Sequence, residues 1–247
     1  MKAMILAAGL GTRLRPLTND RPKALVELGG RTLLEITLGR LRKFGVGEVM
    51  VNVHHFADMV VDYLRAHDNF GMRIEISRED VLLDTGGGLK KAAWFFLESS
   101  GAGDEPFFLH NVDVLSNIDL GQMLEEHRRQ GALATLAVQD RKTSRYRLFD
   151  SALSLCGRRA GQDGAPELVR QVDRFEARAF SGVHVISARL LSMLSEDGVF
   201  SIVTSYLRLA GQGETICEFR ADDYYWRDLG RPENIAQAEL DLKSELV

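Results

Sequence analysis

Cysteine is scarce: Cys156 and Cys217 are the only two in 247 residues, and neither sits in a CxxC pair or any other metal-ligand spacing. That excludes a disulfide scaffold and a thiolate metal centre, leaving two reduced thiols. Long apolar runs are missing too; none approaches the roughly 18 residues that a bilayer-spanning helix needs. The chain enters a short apolar run at Met4 and then Gly11-Thr12-Arg13, without a signal peptide's apolar region or cleavage site. There is no surplus of positive charge, since 31 Lys+Arg face 35 Asp+Glu for a net charge of −4. Nucleic acid and anionic membrane surfaces are therefore not expected partners. The expectation is a cytoplasmic protein forming one domain over 1–247, with ample core.

What is present is an alternation of strand and helix patterns. Apolar residues 4–7, Glu48–Val53, Arg73–Ser77 and Pro106–His110 read as strands. Between them, Thr32–Phe44 and Phe56–His67 have helical apolar spacing, and Gly86-Gly87-Gly88 opens a helix through Glu98. Thr32 with Glu35 forms a capping box, and Gly45 stands where a C-cap belongs. Strands alternating with helices predict βαβ units and a mixed, mostly parallel α/β sheet flanked by helices, Rossmann-like in layout. Further on, Asp119–Gln130 reads as a helix and Ala132–Val138 as a strand. Residues 139–177 are polar, with short strand-like pieces at 146–149, 153–156 and 168–172, and predict a small antiparallel lid. Strands at 180–186, 215–219 and 224–229 and helices at 188–194, 201–210 and 232–246 complete the chain, which leaves no room for an appended repeat domain.

The first strand ends in Ala8-Gly9-Leu10-Gly11-Thr12 and then Arg13, Arg15, Arg21 and Lys23. Small residues let backbone approach a bound group, and cations supply charge for an anion. The loop is not a Walker A sequence, because neither Gly9–Arg15 nor Gly86–Lys91 fits GxxxxGK[ST]. A dinucleotide fingerprint also fails: Leu14 stands where the third glycine belongs, and Pro16 interrupts an immediate helix. A hydride-transfer enzyme is thus a distant alternative. Taken alone, Gly9 and Gly11 are more simply explained as a steric turn.

The whole string LAAGLGTRLRPLTNDRPKAL resembles the opening of the sugar-1-phosphate nucleotidyltransferases, the NDP-sugar pyrophosphorylase family, over about twenty positions. Ala24 replaces a proline that many members carry. Leu83-Asp84-Thr85-Gly86-Gly87-Gly88 resembles the family's second glycine segment. Leu109-His110-Asn111-Val112-Asp113 resembles its strand-end metal motif, with Val112 in place of the usual glycine. Phe180-Ser181-Gly182 resembles the segment lining the sugar, and Trp226-Arg227-Asp228-Leu229-Gly230-Arg231-Pro232-Glu233 the string bearing the second metal aspartate. The likeness runs from residue 3 to about 240.

That resemblance implies the nucleotide-diphospho-sugar transferase fold and a Mg²⁺-dependent reaction between a nucleoside triphosphate and a sugar 1-phosphate. Asp113 and Asp228 would hold Mg²⁺; with Arg13 on the leaving pyrophosphate and Lys23 on the reacting phosphates, they would form the catalytic set. Leu6, Ala7, Ala8, Gly9, Gly11, Thr12, Arg13, Thr85, Gly86 and Gly87 would bind the nucleotide. Asn111, Gly182, Arg145 and Trp226 would bind the sugar phosphate. Arg145 enters because this chain lacks the Glu-Lys pair of many hexose-specific members and carries a basic run, Arg141, Lys142, Arg145 and Arg147, in the lid. His54-His55 has the wrong spacing for a metal, and Trp94-Phe95-Phe96 reads as core or a subunit contact in a monomer or homodimer. Among family branches the pattern is most similar to the N-acetylmuramate-1-phosphate uridylyltransferases of cell-wall recycling. Mannose- or heptose-1-phosphate guanylyltransferases are the alternative. A catalytically silent nucleotide-sugar sensor is the rival of another class, and the joint presence of Arg13, Lys23, Asp113 and Asp228 argues against it.

Overall fold

The computed structural model describes residues 1–98 and 104–243. In chain order the first half comprises β1 (Lys2–Leu6), a small hairpin of β2 (Glu27–Leu28) and β3 (Arg31–Thr32), α1 (Leu33–Lys43), β4 (Glu48–Val53), α2 (Ala57–Ala66), β5 (Arg73–Arg78), α3 (Asp84–Lys91), α4 (Ala93–Leu97) and β6 (Phe107–Asn111). The strands β6, β1, β4 and β5 lie side by side and parallel, with Ile5 opposite both His110 and Val51. The apolar runs of β6, β1 and β4 are buried on both faces, as a helix-covered parallel sheet requires, while β5 at the edge is largely part-exposed.

The helices divide between those faces. Leu34, Leu38 and Leu41 of α1 and Val60 and Leu64 of α2 pack in one core; Leu89, Phe95 and Phe96 of α3 and α4 pack in the other. The direction of winding therefore reverses between β1 and β6, and a crevice opens beyond their carboxyl ends, where such sheets bind ligands.

Thr32 caps α1 by accepting the Glu35 N–H (3.1 Å), and Glu35 itself accepts from Tyr63 Oη (3.2 Å). The helix expected from Gly86 to Glu98 starts earlier, at Asp84, and breaks at Ala92 into α3 and α4. In α2 only Val60 and Leu64 are buried; Met59 faces solvent.

The second half runs β7 (Val114–Ser116), α5 (Leu120–Gln130), β8 (Ala134–Gln139), β9 (Arg145–Asp150), β10 (Leu155–Ala160), β11 (Pro166–Leu168), β12 (Phe175–Ile186), α6 (Ile202–Gly211), β13 (Ile216–Arg220), β14 (Trp226–Asp228) and α7 (Pro232–Lys243). The segment expected as a helix at 188–194 is a 3-10 turn, Ala188–Met193. Residues 244–246, expected in the closing helix, lie outside the described residues. The strand expected from Phe180 begins at Phe175, because the alternating FEARA sequence pairs with β9. The antiparallel strands β9–β11 therefore hydrogen-bond onto the edge of the same sheet through β12.

Both cysteines are buried and free, and burial pushes each thiol up to about 11.

Candidate active site

The crevice beyond β1 and β6 holds about 390 Å³ and is lined by Leu6, Ala8, Gly9, Lys23, Thr85, Asn111 and Asp113 together with Asn52, Glu79, Leu82, Asp84 and Val199. The first seven are residues that the sequence pointed to. Of the other five, Glu79, Leu82 and Asp84 belong to the segment leading into the second glycine string, whereas Asn52 and Val199 were missed.

Asn52 and Glu79 form the buried back wall. Asn52 Oδ1 accepts the Ala7 N–H at 2.8 Å, and its Nδ2 donates to Glu79 Oε1 at 2.7 Å. The second Glu79 oxygen accepts the Leu83 N–H at 2.9 Å. This network fixes the strand-to-loop turn of β1 against the segment that leads into α3. It also occupies the N–H of Ala7, which does not itself line the crevice. An Asn interrupting the apolar run that follows Glu48 in the strand EVMVNV was the available signal.

Gly86 and Gly87 do not act as ligand-facing amides. Both N–H groups point to the Phe200 carbonyl, at 2.9 and 3.2 Å. A Cβ on Gly86 would overlap the Phe200 ring, one on Gly87 the Gly198 carbonyl, and one on Gly88 would lie 2.7 Å from Glu79 Oε1. The triple glycine lets the segment 198–202 and Glu79 close against α3. Thr85 joins the two as well, its Oγ1 accepting the Ile202 N–H at 3.0 Å.

Lys23 and Asp113 are brought together as an ion pair, with side chains 13% and 12% exposed. Asp113 follows β6, and Val112 is buried, without a left-handed backbone angle, its N–H donating to the Leu6 carbonyl at 3.2 Å. The backbone there does not demand glycine. Asp228 ends β14, where it is paired with Val114, and the next N–H, of Leu229, donates to the Asp113 carbonyl at 2.7 Å. The two aspartates thus occupy adjoining backbone. Asp228 Oδ1 accepts the Gly230 N–H at 2.7 Å. Arg13 reaches the same place: a Cβ on Gly230 would lie 2.6 Å from Asp228 Oδ1 and 2.8 Å from Arg13 Nη2. Gly11 and Thr12 lead into this Arg13 turn without lining the crevice.

On the opposite side, Gly182 has φ +76°, and a side chain there would meet Asn111 Nδ2 at 2.9 Å and Val114 Cγ2 at 2.8 Å. Trp226 Nε1 donates to the Ser181 carbonyl at 2.7 Å. The expected partner Arg145 is not there; it stands exposed at the outer end of β9, opposite Ala160. The basic residue beside Trp226 is Arg141, whose guanidinium carbon lies 3.6 Å from the ring centroid. Arg141 stands two residues past β8 and Arg145 at the start of β9, a separation that a linear basic run does not reveal.

Behind the aspartates, burial and then the nearby Arg40 charge pull His110 down to about 4. Arg40 itself reaches from α1 to the Ser116 and Ile118 carbonyls. Among the described residues no cluster of three or more His, Cys, Asp or Glu could hold a metal. Two carboxylates on adjoining backbone do fit a hard cation such as Mg²⁺, which takes one or two carboxylates and completes its shell with water and phosphate oxygens. His54 Nδ1 lies 2.7 Å from the Glu79 carbonyl, in keeping with a structural rather than metal-binding role. No described helix is long and apolar enough to cross a membrane.

Residues 2–149 match the family model described as nucleotidyl transferase. The chain is 36% identical over 248 residues to an N-acetylmuramate alpha-1-phosphate uridylyltransferase of Caulobacter vibrioides, covering 96% of this chain and 95% of that protein. It is 27% identical to a mannose-1-phosphate guanyltransferase of Yarrowia lipolytica, covering 95% of this chain but 62% of that protein. Among solved structures, HddC from Yersinia pseudotuberculosis complexed with GMP-PN is similar at TM-score 0.73 and 21% identity, covering 98% and 99% of the two chains. A putative glucose-1-phosphate thymidylyltransferase from Bacillus anthracis gives 0.79 at 17% identity, covering 97% and 94%. At these identities the structural likeness speaks for the fold.

Proposed function

The chain belongs to the nucleotidyl transferase family and is a sugar-1-phosphate nucleotidyltransferase; we propose that it transfers a uridylyl group from UTP to N-acetylmuramate 1-phosphate. An oxygen of the sugar phosphate attacks the α-phosphorus, the bond from that phosphorus to the bridging oxygen breaks, and pyrophosphate leaves. Both reactants are anions, so neutralising charge and aligning the attack are the enzyme's main tasks. The observation that carries the choice of substrates is the match over nearly the full length of both chains to the Caulobacter uridylyltransferase.

In this reading the crevice beyond β1 takes the nucleotide. Leu82 and exposed Val199 offer apolar surface to the base, and the loop of Ala8 and Gly9 lets the phosphates approach the backbone. Arg13 grips the departing pyrophosphate through its planar fork. Lys23 exchanges its ion pair with Asp113 for the reacting phosphates. Asp113 and Asp228 would hold Mg²⁺, which when bound supplies positive charge to phosphate oxygens. Asn111 and Gly182 border the sugar side, with Trp226 as its wall.

Guanylyl transfer to mannose 1-phosphate is the second reading, favoured by 37% identity over 139 residues, 56% of this chain and 37% of that protein, to the Aspergillus fumigatus mannose-1-phosphate guanyltransferase. A matrix of nucleoside triphosphates against sugar 1-phosphates, read by pyrophosphate release, separates the two. Highest kcat/KM for UTP with N-acetylmuramate 1-phosphate supports the proposal; preference for GTP with mannose 1-phosphate replaces it.

A further inference from the structure

We propose that Arg141 is a substrate-binding cation of this enzyme, holding an oxygen of the sugar 1-phosphate's phosphate group. The inference rests on the nucleotidyl transfer proposed above.

The geometry begins with two stacked side chains. The Arg141 guanidinium lies over Trp226, 3.6 Å from guanidinium carbon to ring centroid. Each member of the stack is tied to β12. Arg141 Nη2 donates to the Phe180 carbonyl, and Trp226 Nε1 to the Ser181 carbonyl, each at 2.7 Å. These successive carbonyls lie where the β8–β12 register is interrupted, just before Gly182. Gly182 in turn backs onto Asn111, two residues from Asp113. Asp228 follows Trp226 by two residues on β14, so the two share a face. Arg141 therefore stands at the junction of the sugar-side strand and the aspartate pair.

Its donors are underused. One Nη2 bond goes to Phe180, Nε is buried without a partner, and among the described residues no carboxylate pairs with it. Burial lowers the guanidinium pKa to about 10, and the field of Asp228 is the main opposing influence. A half-buried cation with free donors is costly unless an anion completes it. Stacking on the indole fixes the plane of the fork, which suits two-point contact with a phosphate. The triphosphate has Arg13 and Lys23 on the β1 side. The sugar phosphate, arriving along Gly182 and Trp226, meets Arg141.

The test is steady-state kinetics of wild type, Arg141→Lys and Arg141→Met, varying sugar phosphate and UTP separately, with thermal melts of each protein. N-acetylmuramate 1-phosphate and N-acetylglucosamine 1-phosphate serve as sugar substrates with and without a carboxylate. For Arg141→Met we expect KM to rise about 10- to 100-fold for both sugar phosphates, as loss of a charged hydrogen bond implies. The KM for UTP and the melting temperature should hold, and Arg141→Lys should recover part of the loss. An unchanged sugar-phosphate KM overturns the proposal. So does a joint change of UTP KM and melting temperature, which would make Arg141 a strut for β12. An effect confined to the carboxylate-bearing sugar also overturns it, assigning Arg141 to that carboxylate. Wild-type protein that releases no pyrophosphate with any substrate pair overturns the nucleotidyl-transfer reading itself, an outcome distinct from these three.

Discussion

Lys23 Nζ and Asp113 Oδ2 form an ion pair between the loop after β1 and the turn after β6, 90 residues apart in sequence. With side chains 13% and 12% exposed, neither charge is well solvated. Removing one partner leaves the other poorly compensated, at a cost of about 3 kcal/mol. Lys23→Met should therefore melt lower than wild type, and millimolar Mg²⁺ should restore more of that loss than it adds to wild type. The restoration should vanish in Lys23→Met/Asp113→Asn. Melting curves that ignore Mg²⁺ in all three proteins would remove Asp113 as a metal ligand.

Gly87→Ala sets helix propensity against packing. Alanine is preferred inside a helix by about 1 kcal/mol, but its Cβ would overlap the Gly198 carbonyl and lie 3.0 Å from Leu83 Cβ. Overpacking of this kind costs about 1–3 kcal/mol. Backbone cannot yield as a flexible side chain does, so packing should win. The variant should unfold at lower urea and show a raised KM for UTP, since the displaced segment carries Val199. A more stable Gly87→Ala would show that the glycines are not there for close approach.

These glycines also mark what the sequence could and could not reveal. The parallel strands were legible because apolar runs alternate with helical spacing, and the opening loop because its string is long and specific. The sequence brought Lys23, Asn111 and Asp113 to one crevice, and Arg13 with Asp228 beside it. It misread Gly86 and Gly87 as ligand-facing, because the pressure on them comes from Gly198 and Phe200, more than a hundred residues away. Asn52 escaped notice as a single polar residue, since its value lies in bonding Glu79, just past the end of the neighbouring strand. Arg141 and Arg145 are indistinguishable in a linear basic run; only the stack on Trp226 separates them.

Acid should destabilise the protein through three buried histidines. Burial holds His110 and His127 at about 4 and His184 at about 3. These values lie below the ordinary value near 6.5, so the unfolded chain binds more protons in between. Stability from these groups is full above about pH 6.5 and is lost as pH falls toward about 4, each contributing up to about 1.4 kcal/mol per pH unit. Glu218, pushed up by burial, opposes them with one proton against three. The urea midpoint should fall between pH 7 and pH 5; a flat or rising midpoint contradicts the neutral assignment.

Arg147 lies in register between Arg158 on β10 and Arg178 on β12. Burial, with Arg145 and Arg158 nearby, pulls it down to about 10, and its bond to the Tyr146 carbonyl is 3.2 Å. Like charges directly opposite one another in a sheet are destabilising. Arg147→Met keeps the aliphatic stem and should raise stability by about 1 kcal/mol, read from urea unfolding. A loss of that size would mean that the guanidinium contributes to the native fold.

The most direct test of the central claim is pyrophosphate release from UTP and N-acetylmuramate 1-phosphate by wild type and Asp228→Asn, each with Mg²⁺ and with chelator. Asparagine retains an oxygen for the Gly230 N–H, so the variant should melt like wild type. The account predicts equal amounts of pyrophosphate and UDP-sugar from wild type only with Mg²⁺, and at least about a hundredfold lower kcat for Asp228→Asn. Turnover that survives chelation, or an Asp228→Asn protein with wild-type kcat, would contradict it.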